Sequence, residues 1–482
     1  MTYLKYYDLT IMWQGPACYP ARNYRETKVG IKMTFFGTAL LVGAALNANA
    51  SEQEVARLGK ELTPVGAERA GNKEGTIPAW TGGDMAPPAG WKPGALRPDP
   101  YANDKRQFSI DASNVDRYKD KLAPGQIEMV RTIPGYRMDV YPSRRSCGYP
   151  DFYYERTRKN AVSAKMAPNG HELLEAIGAA VPFPIPHNGA EAIWNHKLSW
   201  RGEGFQQHFA TYIPPKGSDS IGEAIIQDEF ELAPMWSPTN KGIADARGIE
   251  YQLLNVYTGP ASIAGDATLA QYNFGKPNDV WLYFASQRRV RRAPTYQYDA
   301  PVLNTENLQI ADQYLQFNGP LDRYDWKLVG KKELYVPYNT YRLNSPANKV
   351  ADVVKPKFLS RDLTRYELHR MWVVEATLKE GMRHVFPKRT FYIDEDSWTI
   401  LVEDMYDAQG KVWRTAEMGP YMAWEVPACV WSANISYDHV AGRALIDRVQ
   451  AGGKEADWLA VREGRLKSGT FEPDGLRRAT TR

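Results

Sequence analysis

The chain has 482 residues, with 60 basic and 56 acidic groups, enough for one large or two ordinary domains. Five of those bases and two of the acids lie within residues 1–50, leaving 55 against 54, without the basic excess of a nucleic-acid binder. Aromatic residues make up 12 %, with 29 tyrosines, which suits strands and amphipathic cavity walls better than helical bundles.

In chain order, Lys28 and Lys32 precede an apolar, small-residue run from Met33 to Leu46, and Ala48-Asn49-Ala50 precedes Ser51. This is the pattern of a secretory signal peptide (33–50) cut near Ala50/Ser51, behind an over-extended start for which Met33 is the better initiator. The apolar run is too short to span a bilayer, which takes about 20 residues. Nothing later is more apolar, so no transmembrane segment is expected in the mature chain. No cysteine follows closely enough to carry a lipid, so the mature protein is expected to be periplasmic. There Cys147 and Cys429 could pair, although two free buried thiols fit the sequence nearly as well.

The mature chain reads as an N-terminal arm and helical region (51–204), an antiparallel sheet domain with a C-terminal helix (205–450) and a polar tail (451–482). A helix is expected over Glu52–Leu62. From Ile77 to Pro100, six prolines and four glycines around Trp80 and Trp91 forbid regular structure and predict an arm pinned to the body. Helices are expected over Asn114–Leu122, His171–Ile177 and Ala190–Leu198. Strands are expected over His208–Ile213, Glu223–Leu232, Tyr251–Thr258 and Trp326–Val336. Then come Met371–Leu378, Arg389–Ile393, Thr399–Tyr406 and Val412–Ala416, whose short polar connections make a β-meander. Val440–Gln450 has helical spacing. The fold class is α+β, mainly antiparallel β: a large curved sheet or incomplete barrel wrapped over helices.

The most informative stretch is Asp279–Asp299, DVWLYFASQRRVRRAPTYQYD, which reads as a hairpin. Alternation puts Trp281 and Tyr283 on one face, and the returning strand carries Arg288, Arg289, Arg291 and Arg292 on both of its faces. Unpaired buried guanidinium groups cost several kcal/mol, so this strand should lie at an edge, at a rim or against an anionic partner. A solvated edge that blocks aggregation is the plain reading; a rim that captures an anionic head group is the functional one.

Catalytic constellations are thin. His171-Glu172-Leu173-Leu174-Glu175 has glutamate where a zinc-protease helix needs its second histidine. Asp394-Glu395-Asp396 resembles the start of a calcium loop, but Trp398 occupies a ligand position, so a hairpin turn is expected. His196 and His208 would support acid/base chemistry only if they converged with a carboxylate in one cleft. No enzyme activity, metal or cofactor is expected.

Val280-Trp281-Leu282-Tyr283 with Gln287-Arg288-Arg289-Val290-Arg291-Arg292 is similar to the hairpin of bacterial outer-membrane lipoprotein-sorting proteins. Ile77–Gly83, Tyr324–Lys332 and Lys388–Asp394 resemble corresponding stretches of one subgroup, domain of unknown function 1329. The resemblance runs from about Ser51 onward. It implies a fold similar to periplasmic lipoprotein carriers, and as partners a resistance-nodulation-division exporter and an outer-membrane protein. The function expected is a periplasmic carrier or chaperone for a lipid, acyl or sterol-like molecule, with Trp281 and Tyr283 as wall and the four arginines as rim. A transporter adaptor that binds no small molecule is the alternative.

Overall fold

The computed structural model describes residues 50–479; the expected start extension and nearly all of the expected signal peptide lie outside the described residues. The strands are β1 (Phe108–Ile110), β2 (Met138–Val140), β3 (Lys165–Met166), β4 (Leu173–Glu175), β5 (Gly204–Tyr212), β6 (Ile225–Leu232), β7 (Ile249–Gly259), β8 (Ala267–Asn273) and β9 (Asp279–Phe284). They continue with β10 (Arg289–Arg292), β11 (Tyr324–Pro337), β12 (Tyr366–Leu378), β13 (Lys388–Asp394), β14 (Ile400–Tyr406), β15 (Val412–Ala423), β16 (Ala428–Asp438) and β17 (Arg443–Val449).

All but β3 and β4 join one 15-stranded sheet, ordered β1-β2-β12-β13-β14-β15-β16-β17-β5-β6-β7-β8-β9-β10, with β11 also on β12. Two meanders, β12 to β17 and β5 to β10, are welded by the β17–β5 pairing. Neighbours are antiparallel except for one parallel bridge between β12 and β2. The sheet is open and mainly antiparallel, the fold class read from the sequence. β1 and β2 enter the same sheet as the strands from residue 204 on, and residues 50–479 belong to one compact unit.

The Gly189–Lys197 helix packs on β11 and β12 with all nine of its residues buried. Asn188 caps it, its side-chain oxygen accepting the Glu191 N–H at 2.9 Å. The 77–100 arm has no regular structure. Trp80 is buried and donates to the Cys147 carbonyl at 3.0 Å, while Trp91 meets Trp424 edge to face. Cys147, in the segment that follows β2, and Cys429 on β16 form a disulfide.

Several elements differ from the sequence reading. Val440–Gln450 is no helix: Arg443–Val449 is β17, a central strand buried almost throughout, and burial on both faces erases the two-residue alternation that identifies a strand. His171–Ile177 contains β4, the return strand of a small hairpin with β3. The first helix stops at Val55. Helices Pro124–Thr132 and Asp151–Ser163, and strands β8 and β16, had not been expected. Gly419-Pro420 lies at a register shift inside β15. A Cβ at Gly419 would stand 2.4 Å from the Thr340 methyl, so that close approach requires glycine.

Candidate functional site

Residues 293–323 link β10 to β11 with no strand or α-helix. They lie over the face of β5 to β9 that presents Phe209, Leu253, Tyr257, Ala270 and Val280, leaving a cavity of about 100 Å³ closed by Tyr296, Val302, Leu303 and Tyr314. The Tyr257 hydroxyl donates to the Leu303 carbonyl at 3.3 Å, and that of Tyr314 to Glu231 at 3.0 Å. Six non-glycine residues of this connection have left-handed backbone, among them Leu315 and Gln316, a conformation that bulky residues hold only when the surroundings enforce it. Charge also enters the lining: Arg448 forks onto both oxygens of Glu229 at 2.5 and 2.8 Å.

The opposite face carries the larger hollow. Phe471 and Leu476, both fully buried, pack on Leu254, Val256, Leu269 and Tyr283, with Trp281 and Phe230 beside them. The tail thus ends in a helix, Pro473–Ala479, laid on the sheet. Between it and β6 and β7 runs an open groove of about 780 Å³, with Phe230, Val256 and Leu466 among its apolar walls and Arg465, Lys467 and Arg478 among its basic ones. Three apolar residues in a polar tail, Leu466, Phe471 and Leu476, were the available signal for this packing.

Trp281 and Tyr283 therefore belong to the face beneath the tail, and Val280 reaches the inner cavity; neighbouring residues alternate as a strand demands. The arginines line neither hollow. β10 is an edge strand, and Arg289, Arg291 and Arg292 are exposed on it. Arg288 is exposed in the turn with φ 51°. Arg292 pairs with Asp279, and Arg291 donates to Gln287 at 2.7 Å.

His196 and His208 serve separate environments. His196 is buried, accepts the Ile400 N–H at Nδ1 and faces the Phe317 carbonyl through Nε2 at 3.1 Å. Burial, with Arg201 adding, pushes its pKa down to about 3. It is a neutral structural imidazole. His208 is exposed and pairs with Asp228 at 2.7 Å.

The Asp394-Glu395-Asp396 turn joins β13 to β14, but it is fully buried. Arg145 grips Asp396 through two N–H groups at 2.8 and 2.6 Å, and Arg370 holds Glu395 at 2.6 Å. Asp394 Oδ2 accepts from Tyr338 at 3.0 Å and from the Ser397 hydroxyl at 2.7 Å. Burial, with Asp396 next, pushes the Asp394 carboxyl up to about 6. His369 stacks on Tyr338, centroids 3.7 Å apart, and its Nε2 lies 3.1 Å from Glu367. His369, Asp394 and Asp396 each bring one possible ligand atom within 4.8 Å of the others.

A family model described as "Protein of unknown function (DUF1329)" matches residues 109–477. The chain is 40 % identical over 425 residues to uncharacterized protein PA3922 of Pseudomonas aeruginosa, covering 87 % of this chain and 92 % of that one. Among solved structures it is similar to a putative outer membrane lipoprotein-sorting protein domain from Vibrio parahaemolyticus (TM-score 0.41, 14 % identity, 60 % of this chain and 98 % of that one). It is also similar to a DUF1329 family protein from Desulfovibrio piger (TM-score 0.37, 14 % identity, 57 % and 92 %).

Proposed function

We propose that this chain, which belongs to the DUF1329 family, is a periplasmic carrier or chaperone for an amphiphile with an apolar body and an anionic head. The observation that carries this reading is the groove under the C-terminal segment. Its volume, about 780 Å³, falls within the roughly 300–1,000 Å³ typical of small-molecule sites. Phe230, Val256 and Leu466 would shield methylenes, each worth about 0.8 kcal/mol when buried. Lys467 and Arg478 would face the head group, while Arg465 is held by Asp457 and Glu463. The arginine edge at β10 extends the basic surface that an anionic ligand meets on approach. The Cys147–Cys429 disulfide supports an oxidising compartment, as does the signal-like segment before Ser51.

Protein purified without detergent is extracted with organic solvent, and the extract is analysed by mass spectrometry. A co-purifying amphiphile is the expected result. Charge reversal of Lys467 and Arg478, and separately glutamine at Arg288, Arg289, Arg291 and Arg292, should weaken uptake of a fluorescent fatty acid more than that of its neutral alcohol. A clean extract together with no uptake refutes the proposal.

A second reading, an adaptor for an envelope exporter of the resistance-nodulation-division type or an outer-membrane protein, is favoured by one observation. The inner cavity of about 100 Å³ is too small for a lipid, so the interior resembles a packed scaffold. Retained envelope association in a protein that takes up no amphiphile would favour it.

A further inference from the structure

We propose that His369, Asp394 and Asp396 form a structural binding site for one divalent transition-metal ion, of the zinc or manganese class, next to the Cys147–Cys429 disulfide. The register of β12 against β13 pairs Met371 with Asp394, and the Glu395 N–H bonds to the Arg370 carbonyl. His369 and Asp396 thus stand opposite each other, and strand alternation puts both on the face of Asp394. All three are buried, and their donor atoms lie within 4.8 Å of one another.

Asp394 Oδ1 is buried with no hydrogen-bond partner, an arrangement that costs roughly 1–3 kcal/mol or more for a charged group. Facing it at 3.9 Å is Nδ1 of His369. Glu367 receives N–H donors from Arg365 at 2.5 Å, Asn339 at 2.9 Å and the Arg144 backbone at 2.6 Å. It is therefore an acceptor toward His369 Nε2, which leaves Nδ1 as the ring nitrogen turned to Asp394. No hydrogen bond joins these two atoms at that distance, and a cation between them would use both. A metal ion with bonds near 2.0–2.2 Å holds its donors roughly 3.3–3.6 Å apart, so loading the site would draw His369, Asp394 and Asp396 inward from separations of up to 4.8 Å. Glu367 behind His369 is the carboxylate that commonly orients a ligating imidazole. One imidazole with two carboxylates suits zinc or manganese better than magnesium or calcium.

The test uses the whole mature protein, stripped with a chelator, desalted and titrated with zinc or manganese chloride. One equivalent should bind, and the melting temperature should rise by about 3 °C at a hundredfold excess over Kd. X-ray absorption on the loaded wild-type protein should show a first shell of nitrogen and oxygen donors with a single imidazole, a readout that needs no variant. His369→Gln and Asp394→Asn should each weaken binding at least tenfold, with folding checked by circular dichroism. No melting shift with either ion, a shell with two or more imidazoles, or unchanged affinity in a folded His369→Gln protein would each overturn the site. Such a failure would leave the groove untouched, since Phe230, Val256 and Lys467 are no part of it.

Discussion

Residues that contradict ordinary burial rules are concentrated in the β12 to β15 region. Arg389 is fully buried between Glu403 at 2.5 Å and Asp312 at 2.9 Å. Asp404 has no cationic partner among the described residues: it accepts from the Gly125 N–H at 3.1 Å and from the Thr415 hydroxyl at 2.9 Å. Burial pushes its carboxyl from 3.8 up to about 7. Because the folded value is raised, the protonated form is the one the fold favours. That stabilisation is complete below about pH 4 and is lost as the pH rises through 7. Asp404→Asn, which can accept from Gly125 and donate to Thr415, should match the wild type in urea unfolding at pH 4. At pH 8 it should exceed it by on the order of 4 kcal/mol. Equal stability at pH 8 would show that the carboxylate is solvated in the folded state. None of these pairings was legible in the sequence: Arg389 and Asp312, or Arg145 and Asp396, are far apart in the chain and come together only through tertiary packing.

Among elements, legibility followed burial. The β12 to β15 meander was read from its short polar loops, and its hairpins formed where expected. The arginine hairpin was also read correctly as an edge, since charges on both faces exclude the interior. β17 and β16 were misread or missed because central strands covered on both sides show runs rather than alternation. The C-terminal helix was missed for the opposite reason, its few apolar residues being outnumbered by charge. Leu476 is completely buried there. Leu476→Ala should therefore cost about 2–4 kcal/mol of local stability and loosen the tail before the sheet melts. Hydrogen exchange of residues 465–479 would detect this as faster exchange with β12 to β15 unchanged; no change would mean that the tail is held by its polar contacts.

At the scale of the molecule, the disulfide spans 282 residues and ties the segment that follows β2 to β16. The chain-entropy model assigns such a long loop about 5 kcal/mol, and measured losses for native bridges run at roughly 2–5 kcal/mol. Replacing both cysteines with serine should lower stability by that order without changing the sheet, as read by thermal melts and far-ultraviolet circular dichroism. An unchanged melting temperature would assign the cross-link no stabilising role. The general architecture was visible in the sequence, but the way the two meanders join was not, because nothing local in β5 or β17 announces a partner so distant.

That join has a consequence for assembly. β5 precedes β17 by about half of the chain, yet each is the other's neighbour, so as the chain emerges N-terminus first the earlier meander keeps an unpaired flank until β17 arrives. A polypeptide halted before residue 443 would leave both halves unsealed, vulnerable to proteases and to pairing with each other's copies. Sealing of the sheet thus waits on β17.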